Sequence, residues 1–145
     1  MPSPVFGKVL PGVTYVKRQG AYGILFNEKT QLAIVQTPMG LFLPGGGVET
    51  GESIESGLHR EFLEEIGYQV LTAELYAEAS QFHWSEFYRQ HFKKVGSFFK
   101  VDAMPIPGAI NQKDHKLIWL ASADASRLLS QEFQRWAVLQ TLKKK

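Results

Sequence analysis

Three glutamates lie close together on one predicted helix, over residues 52–66, and they are the strongest chemical signal in the chain. Because each helical residue turns by about 100°, Glu61, Glu64 and Glu65 share one arc beside the apolar stripe of the helix. Like charges at these spacings cost roughly 0.2–0.5 kcal/mol per pair. A divalent cation would turn that repulsion into attraction, and oxygen ligands favour Mg²⁺, with Mn²⁺ as the alternative. The spacing therefore predicts a site for a hard cation.

The alternative interpretation is a solvated acidic face, which is what most runs of charge are. Gly57 weighs against it, because this glycine lies inside the same arc and costs a helix interior about 1 kcal/mol. Unfavourable choices that coincide at one place indicate a functional site. Residues 41–53, LFLPGGGVETGES, precede the helix, and their glycine triplet predicts a loop. Gly57 would let this loop approach closely enough for a carbonyl to join the carboxylates as a ligand.

The complete pattern runs from Gly46 through Glu52 to the segment Arg60–Tyr68, REFLEEIGY. It resembles the motif of the Nudix hydrolases, G-x5-E-x7-R-E-U-x-E-E-x-G-U, where U is a bulky apolar residue. All seven fixed letters are present, and Phe62 and Tyr68 occupy the two U positions. The resemblance implies the family's fold, an α/β/α sandwich with a mixed β-sheet, over a single domain of residues 1–145 with its motif at 46–68.

The resemblance also implies a role for each residue of the motif. The expected metal ligands are the three helical carboxylates and a loop carbonyl, that is Glu61, Glu64, Glu65 and either Gly45 or Gly46. Glu61 is alternatively the general base. Glu52 and Arg60 are expected to orient the catalytic carboxylates through ion pairing, and Gly67 to end the helix in a left-handed conformation.

Nudix enzymes hydrolyse a diphosphate bond in a nucleoside diphosphate linked to another group, and metal ions offset the phosphate charge. The preferred expectation is hydrolysis of a nucleoside triphosphate to the monophosphate and pyrophosphate. The alternatives within this class are a nucleotide sugar or a dinucleotide polyphosphate. A non-catalytic Nudix module that senses nucleotides is the alternative from another class.

An aromatic-rich segment, residues 82–92 (FHWSEFYRQHF), supplies most of the candidates for substrate binding. Aromatic rings can stack on a base, and cations can bind phosphates; the alternative is that the rings are core or anchor a loop. The candidates are Phe82, Trp84, Glu86, Tyr88 and Arg89, with Arg18 from an earlier strand; Lys93 is a second cation for phosphates. Glu86 is also a candidate for a further metal ligand or base. His83, His91 and His115 are expected to be structural, and Asn111 is a weak candidate for reading a base.

Alternation and short apolar runs predict a mixed α/β domain. Strands are predicted at residues 13–18, 21–26, 31–36, 69–80, 97–101 and 116–120, with a hairpin turn at 27–30. Two helices follow, one from a cap at Ser122 through Leu129 and one capped by Ser130, with an apolar stripe at Phe133, Trp136 and Ala137.

The composition narrows the class of protein. The 145 residues carry 16 Lys and Arg against 14 Asp and Glu, a net charge of +2, so a nucleic-acid-binding protein with a strong basic stripe is not expected. The chain has no cysteine, which excludes disulfides, thiolate zinc sites and a cysteine nucleophile, and which suits the cytoplasm. No leader peptide or membrane-spanning run is visible. The expected partner is a small nucleotide, and many similar enzymes are homodimers.

Overall fold

Two β-sheets and three helices make up the part of the chain that the computed structural model describes, residues 3–109 and 112–143. The strands are β1 (Val5–Phe6), β2 (Val16–Ile24), β3 (Gln31–Thr37), β4 (Gly40–Phe42), β5 (Gly45–Gly47), β6 (Tyr68–Ser85), β7 (Gln90–Pro105) and β8 (Lys116–Ala121). The helices are α1 (Ile54–Ile66), α2 (Ser122–Leu128) and α3 (Glu132–Lys143). Asn111, named above for base reading, lies outside the described residues.

The larger sheet is mixed, with strand order β1-β6-β7-β2-β5. Strands β6 and β7 form a long antiparallel hairpin, β2 runs parallel to β7, and β5 closes the edge antiparallel to β2. The smaller sheet is antiparallel, with order β4-β3-β8. The helices cover the sheets on both faces, which confirms the predicted α/β/α sandwich.

Side chains of β2 alternate between two hydrophobic clusters, one on each face of the strand. Tyr22 and Ile24 pack in the cluster that includes Phe133 of α3, while Ala21 and Leu25 pack in the cluster that includes α1. Leu58, Phe62 and Ile66 of α1 are buried there, as their spacing predicts. This alternation fixes which face of the sheet each helix covers, and therefore where the α1 carboxylates lie.

The glycine triplet is a strand, which corrects the prediction of a loop. Gly45, Gly46 and Gly47 pair with Tyr22, Ala21 and Gly20 of β2. A Cβ on Gly45 would overlap the carbonyl oxygen of Ala21, and Gly45 has a φ of 138°, which side chains rarely tolerate. Local sequence rules disfavour glycine in strands, but here the close approach of two backbones requires it.

Other boundaries differ because the deciding contacts are not local. β2 begins at Val16, so residues 13–15 are not strand, and the segment 82–92 is a hairpin with a turn at 86–89. Ser122 lies inside α2, whose N-cap is Ala121. Ser130 precedes the start of α3 by two residues, and its hydroxyl accepts a hydrogen bond from Leu41 N–H at 3.0 Å.

No helix in the described ranges is long and apolar enough to cross a membrane.

Replacing Gly45 by alanine tests how much the fold depends on the glycine strand. We expect a loss of about 2–5 kcal/mol, because the new methyl group combines an unfavourable φ with a clash against Ala21. The control is Gly51→Ala, since Gly51 has a φ of 84° with nothing within 4 Å of the added Cβ. The control variant incurs only backbone strain, which should lower the free energy of unfolding by about 1–2 kcal/mol. Equal melting temperatures for the two variants would contradict the close packing of β5 on β2.

Candidate functional site

The carboxylate-bearing helix begins and ends on local signals. The Ser53 hydroxyl caps α1 by accepting a hydrogen bond from Ser56 N–H at 3.1 Å. Gly67 ends the helix with a φ of 69°, which confirms the predicted left-handed position, and its N–H donates to the Leu63 carbonyl. A Cβ on Gly57 would lie 3.0 Å from a methyl group of Val48, so this glycine does let the segment after β5 approach the helix.

Arg60 connects the carboxylates of the motif. Its Nε and Nη2 donate to the two oxygens of Glu52 at 2.8 and 3.0 Å, a bidentate pair. Its Nη1 donates to Glu61 at 2.9 Å and to Glu64 at 3.2 Å, while Nη2 also reaches the Gly47 carbonyl at 2.9 Å. These bonds raise the pKa of Arg60 and lower that of Glu52. The ion pair expected between Glu52 and Arg60 is present.

Glu61 and Glu65 lie against the glycine strand. A Cβ on Gly46 would lie 2.7 Å from Glu61 Oε2, so a larger residue would displace this carboxylate. Glu65 Oε1 accepts from Gly45 N–H at 3.0 Å, and its Oε2 lies 3.0 Å from His115 Nδ1.

Burial shifts the proton affinity of both carboxylates. The pKa of Glu61 is raised by burial, and the hydrogen bond from Arg60 acts in the opposite direction. The Glu65 side chain is only 9% exposed, and burial raises its pKa to about 8, with Glu61 adding to the effect. Burial therefore disfavours the charged form of both acids, and Arg60 offsets this only at Glu61.

Glu64 is placed differently from the other two glutamates. Its side chain is 48% exposed and is held by Arg60. Within the described residues, no three acidic or histidine side chains are arranged to hold a metal ion in this conformation. The donor chemistry still fits a hard dication, because Glu61 Oε2 has no hydrogen bond within the described part of the chain and Glu65 is buried beside it. Arg60 supplies positive charge on the side of Glu61 that faces Glu52.

A cleft of about 340 Å³ opens beside this helix, over one face of the larger sheet. Its walls combine the glycine strand with cationic, aromatic and amide side chains. They include Arg18, Tyr22, Gly45, Gly46, Gly47, Glu65, His83, Tyr88, Phe92, Lys94, His115, Gln131 and Gln134. Gln134 is buried and its Oε1 accepts from Leu43 N–H at 2.8 Å, so α3 fixes the segment that leads into β5.

Two of the six predicted substrate-binding residues line the cleft, namely Arg18 and Tyr88. Phe82 and Trp84 alternate onto the opposite face of β6 from the cleft-lining His83. Phe82 packs on Tyr15, with ring centroids 4.7 Å apart. Trp84 donates from its indole N–H to Glu86 at 3.0 Å.

Arg89 lies over the Trp84 ring and pairs with Glu86. Arg89 and Glu86 both lie on an exposed turn and do not line the cleft. The segment is a strand pair with a turn at 86–89, so alternate side chains of the strands face opposite sides and the two turn residues project away from the cleft.

Sequence reasoning missed three cleft residues. His83 and His115 were expected to be structural, yet both line the cleft. His115 arrives there because Ile106 N–H bonds to the Gly67 carbonyl and Gln112 N–H bonds to the Glu64 carbonyl, which ties the loop to the end of α1. Lys94 lines the cleft instead of its neighbour Lys93, a choice that strand alternation would have revealed.

Comparison with known proteins supports the family resemblance. The NUDIX domain family profile matches residues 16–142. The 8-oxo-dGTP diphosphatase of Haemophilus influenzae is 44% identical over 87 residues, which are 56% of this chain and 58% of that protein. The nucleoside triphosphatase NudI of Escherichia coli is 58% identical over 33 residues, 23% of each chain. The chain thus spans little more than half the length of the first relative and about a quarter of the second.

A solved structure shares the fold. The dihydroneopterin triphosphate pyrophosphohydrolase of E. coli superposes with a TM-score of 0.68 at 19% identity, covering 91% of this chain and 100% of that one.

Glu65 should make the stability of the metal-free protein depend on pH. With its pKa raised from 4.5 to about 8, the folded chain keeps a proton that the unfolded chain releases, so stability is lost as the pH rises from 4.5 to 8. Glu65→Gln should remove this loss and raise the melting temperature at pH 8, in the presence of a chelator, by roughly 3–10 °C. At pH 4.5 the variant and the original protein should melt together.

The matched control is Glu55→Gln, an exposed carboxylate in the first turn of the same helix. It should show no such pH-dependent gain. A melting temperature for Glu65→Gln that stays at or below the original at pH 8 would contradict the buried, charge-poor setting of Glu65.

Proposed function

We propose, from the premise that this chain belongs to the Nudix family, that it is a pyrophosphohydrolase which converts a nucleoside triphosphate to the monophosphate and pyrophosphate. One observation carries the proposal: Glu61 and Glu65 of the family motif lie against the glycine strand at the side of a cleft. The catalytic unit is taken as the single domain of residues 1–145, with its motif at 46–68.

The named relatives favour a triphosphate substrate. One is an 8-oxo-dGTP diphosphatase and another a nucleoside triphosphatase, and both are more than 40% identical over the matched stretches. We extend to this chain the substrate class that their names share, a nucleoside triphosphate. The base is left open.

Carboxylates of α1 would hold the metal ion that the reaction needs. Glu61, Glu64 and Glu65, with the carbonyl of Gly45 or Gly46, are the proposed ligands for Mg²⁺, or for Mn²⁺ as the alternative. When bound, the ion supplies positive charge that offsets the charge of the phosphates during the displacement.

The remaining residues of the motif position the reacting groups. A water oxygen attacks phosphorus, the bond to the bridging oxygen breaks, and pyrophosphate leaves with the bond's electron pair. In the alternative in which Glu61 is not a metal ligand, it is the proposed acceptor of the water proton, since burial raises the proton affinity of its carboxylate. Arg60 and Glu52 are positioning residues, because their bidentate pair keeps the guanidinium at hydrogen-bond distance from Glu61 and Glu64.

The proposal places the protein in the cytoplasm, as its lack of cysteine suggests, and takes a small nucleotide rather than nucleic acid as its partner. A homodimer remains part of the proposal, and sedimentation velocity would decide it.

Substitution of each helical carboxylate tests the metal-binding role. We expect Glu61→Gln, Glu64→Gln and Glu65→Gln each to lower kcat with Mg²⁺ by at least about 100-fold, because each removes a negative charge from the proposed ligand set. Glu55→Gln on the same helix is the control and should stay within twofold. Near-normal turnover in all three variants would refute the assignment.

A substrate panel tests the reaction itself. With Mg²⁺ present, the common nucleoside triphosphates and 8-oxo-dGTP should release pyrophosphate and no orthophosphate. A nucleotide sugar and a dinucleotide polyphosphate in the same panel test the two alternatives, and faster hydrolysis of either would replace the proposed substrate. Binding without hydrolysis of any compound, with each metal tried, would favour a sensor.

A further inference from the structure

Strand register places two cations side by side in the cleft. Arg18 of β2 and Lys94 of β7 are direct partners in the parallel pairing of these strands, and both line the cleft. Like charges placed opposite each other destabilise a sheet. The fold therefore maintains an unfavourable pair at this position.

Neither cation has an acidic partner. Among the described residues, no carboxylate lies within ion-pair distance of Arg18 or Lys94. Arg18 is exposed, and its guanidinium lies over the ring of Phe92, 5.4 Å from the centroid. Lys94 is half-buried, and its desolvation, together with the charge of Arg18, lowers its pKa. A half-buried lysine without a counter-charge is unfavourable, and an anion bound beside it would relieve this cost.

The glycine strand lies between these cations and the carboxylates of α1. A Cβ on Gly47 would lie 3.4 Å from Arg18 Nη2, and a Cβ on Gly46 would lie 2.7 Å from Glu61 Oε2. Successive residues of a strand face opposite sides, so Glu61 lies against one face of β5 and Arg18 against the other. Glu65, which accepts a hydrogen bond from Gly45 N–H, is the α1 carboxylate that lines the cleft together with Arg18 and Lys94. A phosphate chain bound in the cleft would therefore have Glu65 and both cations in its walls.

We infer that Arg18 and Lys94 form a phosphate-binding pair, and that the cleft selects nucleotides whose phosphate chain ends in a free, charged phosphoryl group. A nucleotide sugar would present a neutral ring at the same place and would leave both cations without a partner. A site built to bind charged groups discriminates strongly against a substrate that lacks them. The enzymatic part of this inference rests on the proposed function; the binding part does not.

The chain carries its own control pair. Lys17 and Lys93 are also direct partners in the β2–β7 pairing, one residue earlier on each strand. They point to the opposite face, where Lys93 Nζ lies 6.0 Å from the centroid of the Phe82 ring. Removing this pair changes the net charge by as much as removing Arg18 and Lys94, without touching the cleft.

The direct test is binding of inorganic tripolyphosphate, measured by calorimetry with a chelator present so that metal plays no part. Arg18→Met and Lys94→Met should each weaken binding at least about tenfold, since each removes charge-assisted hydrogen bonds. The double variant Lys17→Met/Lys93→Met should bind within about threefold of the original protein. Equal weakening by both pairs would reduce the effect to net charge and overturn the inference.

Steady-state kinetics then separate this inference from the proposed function. Arg18→Met and Lys94→Met should each raise KM for a nucleoside triphosphate at least about tenfold, whereas the control variant Lys17→Met/Lys93→Met should keep a KM near the original value. Hydrolysis of triphosphates with an unaltered KM in both cleft variants would sink the inference and leave the proposed function intact. If tripolyphosphate binding depends on Arg18 and Lys94 but no substrate is hydrolysed, the inference stands and the proposed function is refuted.

A melting curve of each variant checks the fold. Lys94→Met should melt at or above the original temperature, because it replaces a half-buried charge that has no acidic partner by an apolar side chain of similar length. Loss of binding accompanied by a large fall in melting temperature would count against a direct role for Lys94, and Arg18→Met would then decide the question.

Discussion

Two buried carboxylates held against a strand of three glycines are the constraint on which the rest of the site depends. Glu65 bonds to the backbone of Gly45, and Glu61 occupies the space that a side chain on Gly46 would fill. Neither contact survives a larger residue in the strand. The burial that raises the pKa of both acids comes from packing α1 against the sheet, so the electrostatics of the site are a product of the fold.

Charge is distributed unevenly about the same strand. The acids of α1 lie on one side of β5, with Arg60 neutralising part of their charge from behind. Arg18 and Lys94 lie on the other side, without acids of their own. The backbone of β5 stands between the two groups of charges. Glu61 and Glu64 pair with Arg60, whereas Arg18 and Lys94 have no acidic partner in the described part of the chain.

Much of α1 could be predicted because its signals are local. The buried stripe follows from the spacing of apolar residues within the helix, and the end at Gly67 and the Glu52–Arg60 pair were expected from the family motif. The cap at Ser53 was not predicted, although its signal is equally local. The glycine strand could not be predicted in this way, since glycine is unfavourable in a strand until β2 supplies a partner 23 to 27 residues earlier in the chain.

Which residues of β6 and β7 face the cleft depends on the alternation of side chains along the two strands. Once residues 82–92 are known to be a strand pair, Phe82 and Trp84 must face away from His83, and Lys93 must face away from Lys94. An aromatic-rich composition carries no information about which alternate residues face the ligand. The position of His115 depends on two backbone hydrogen bonds between its loop and the end of α1, and no sequence motif predicts these bonds.

Gln134 has a consequence for how the protein is made. Its amide fixes Leu43 from 91 positions further along the chain, and that segment leads directly into the glycine strand. During synthesis on the ribosome, the strand leaves the exit tunnel long before α3 does, and contacts of such wide separation are completed late in folding. A nascent chain can therefore form the carboxylate helix well before the wall of the cleft that Gln134 fixes is in place.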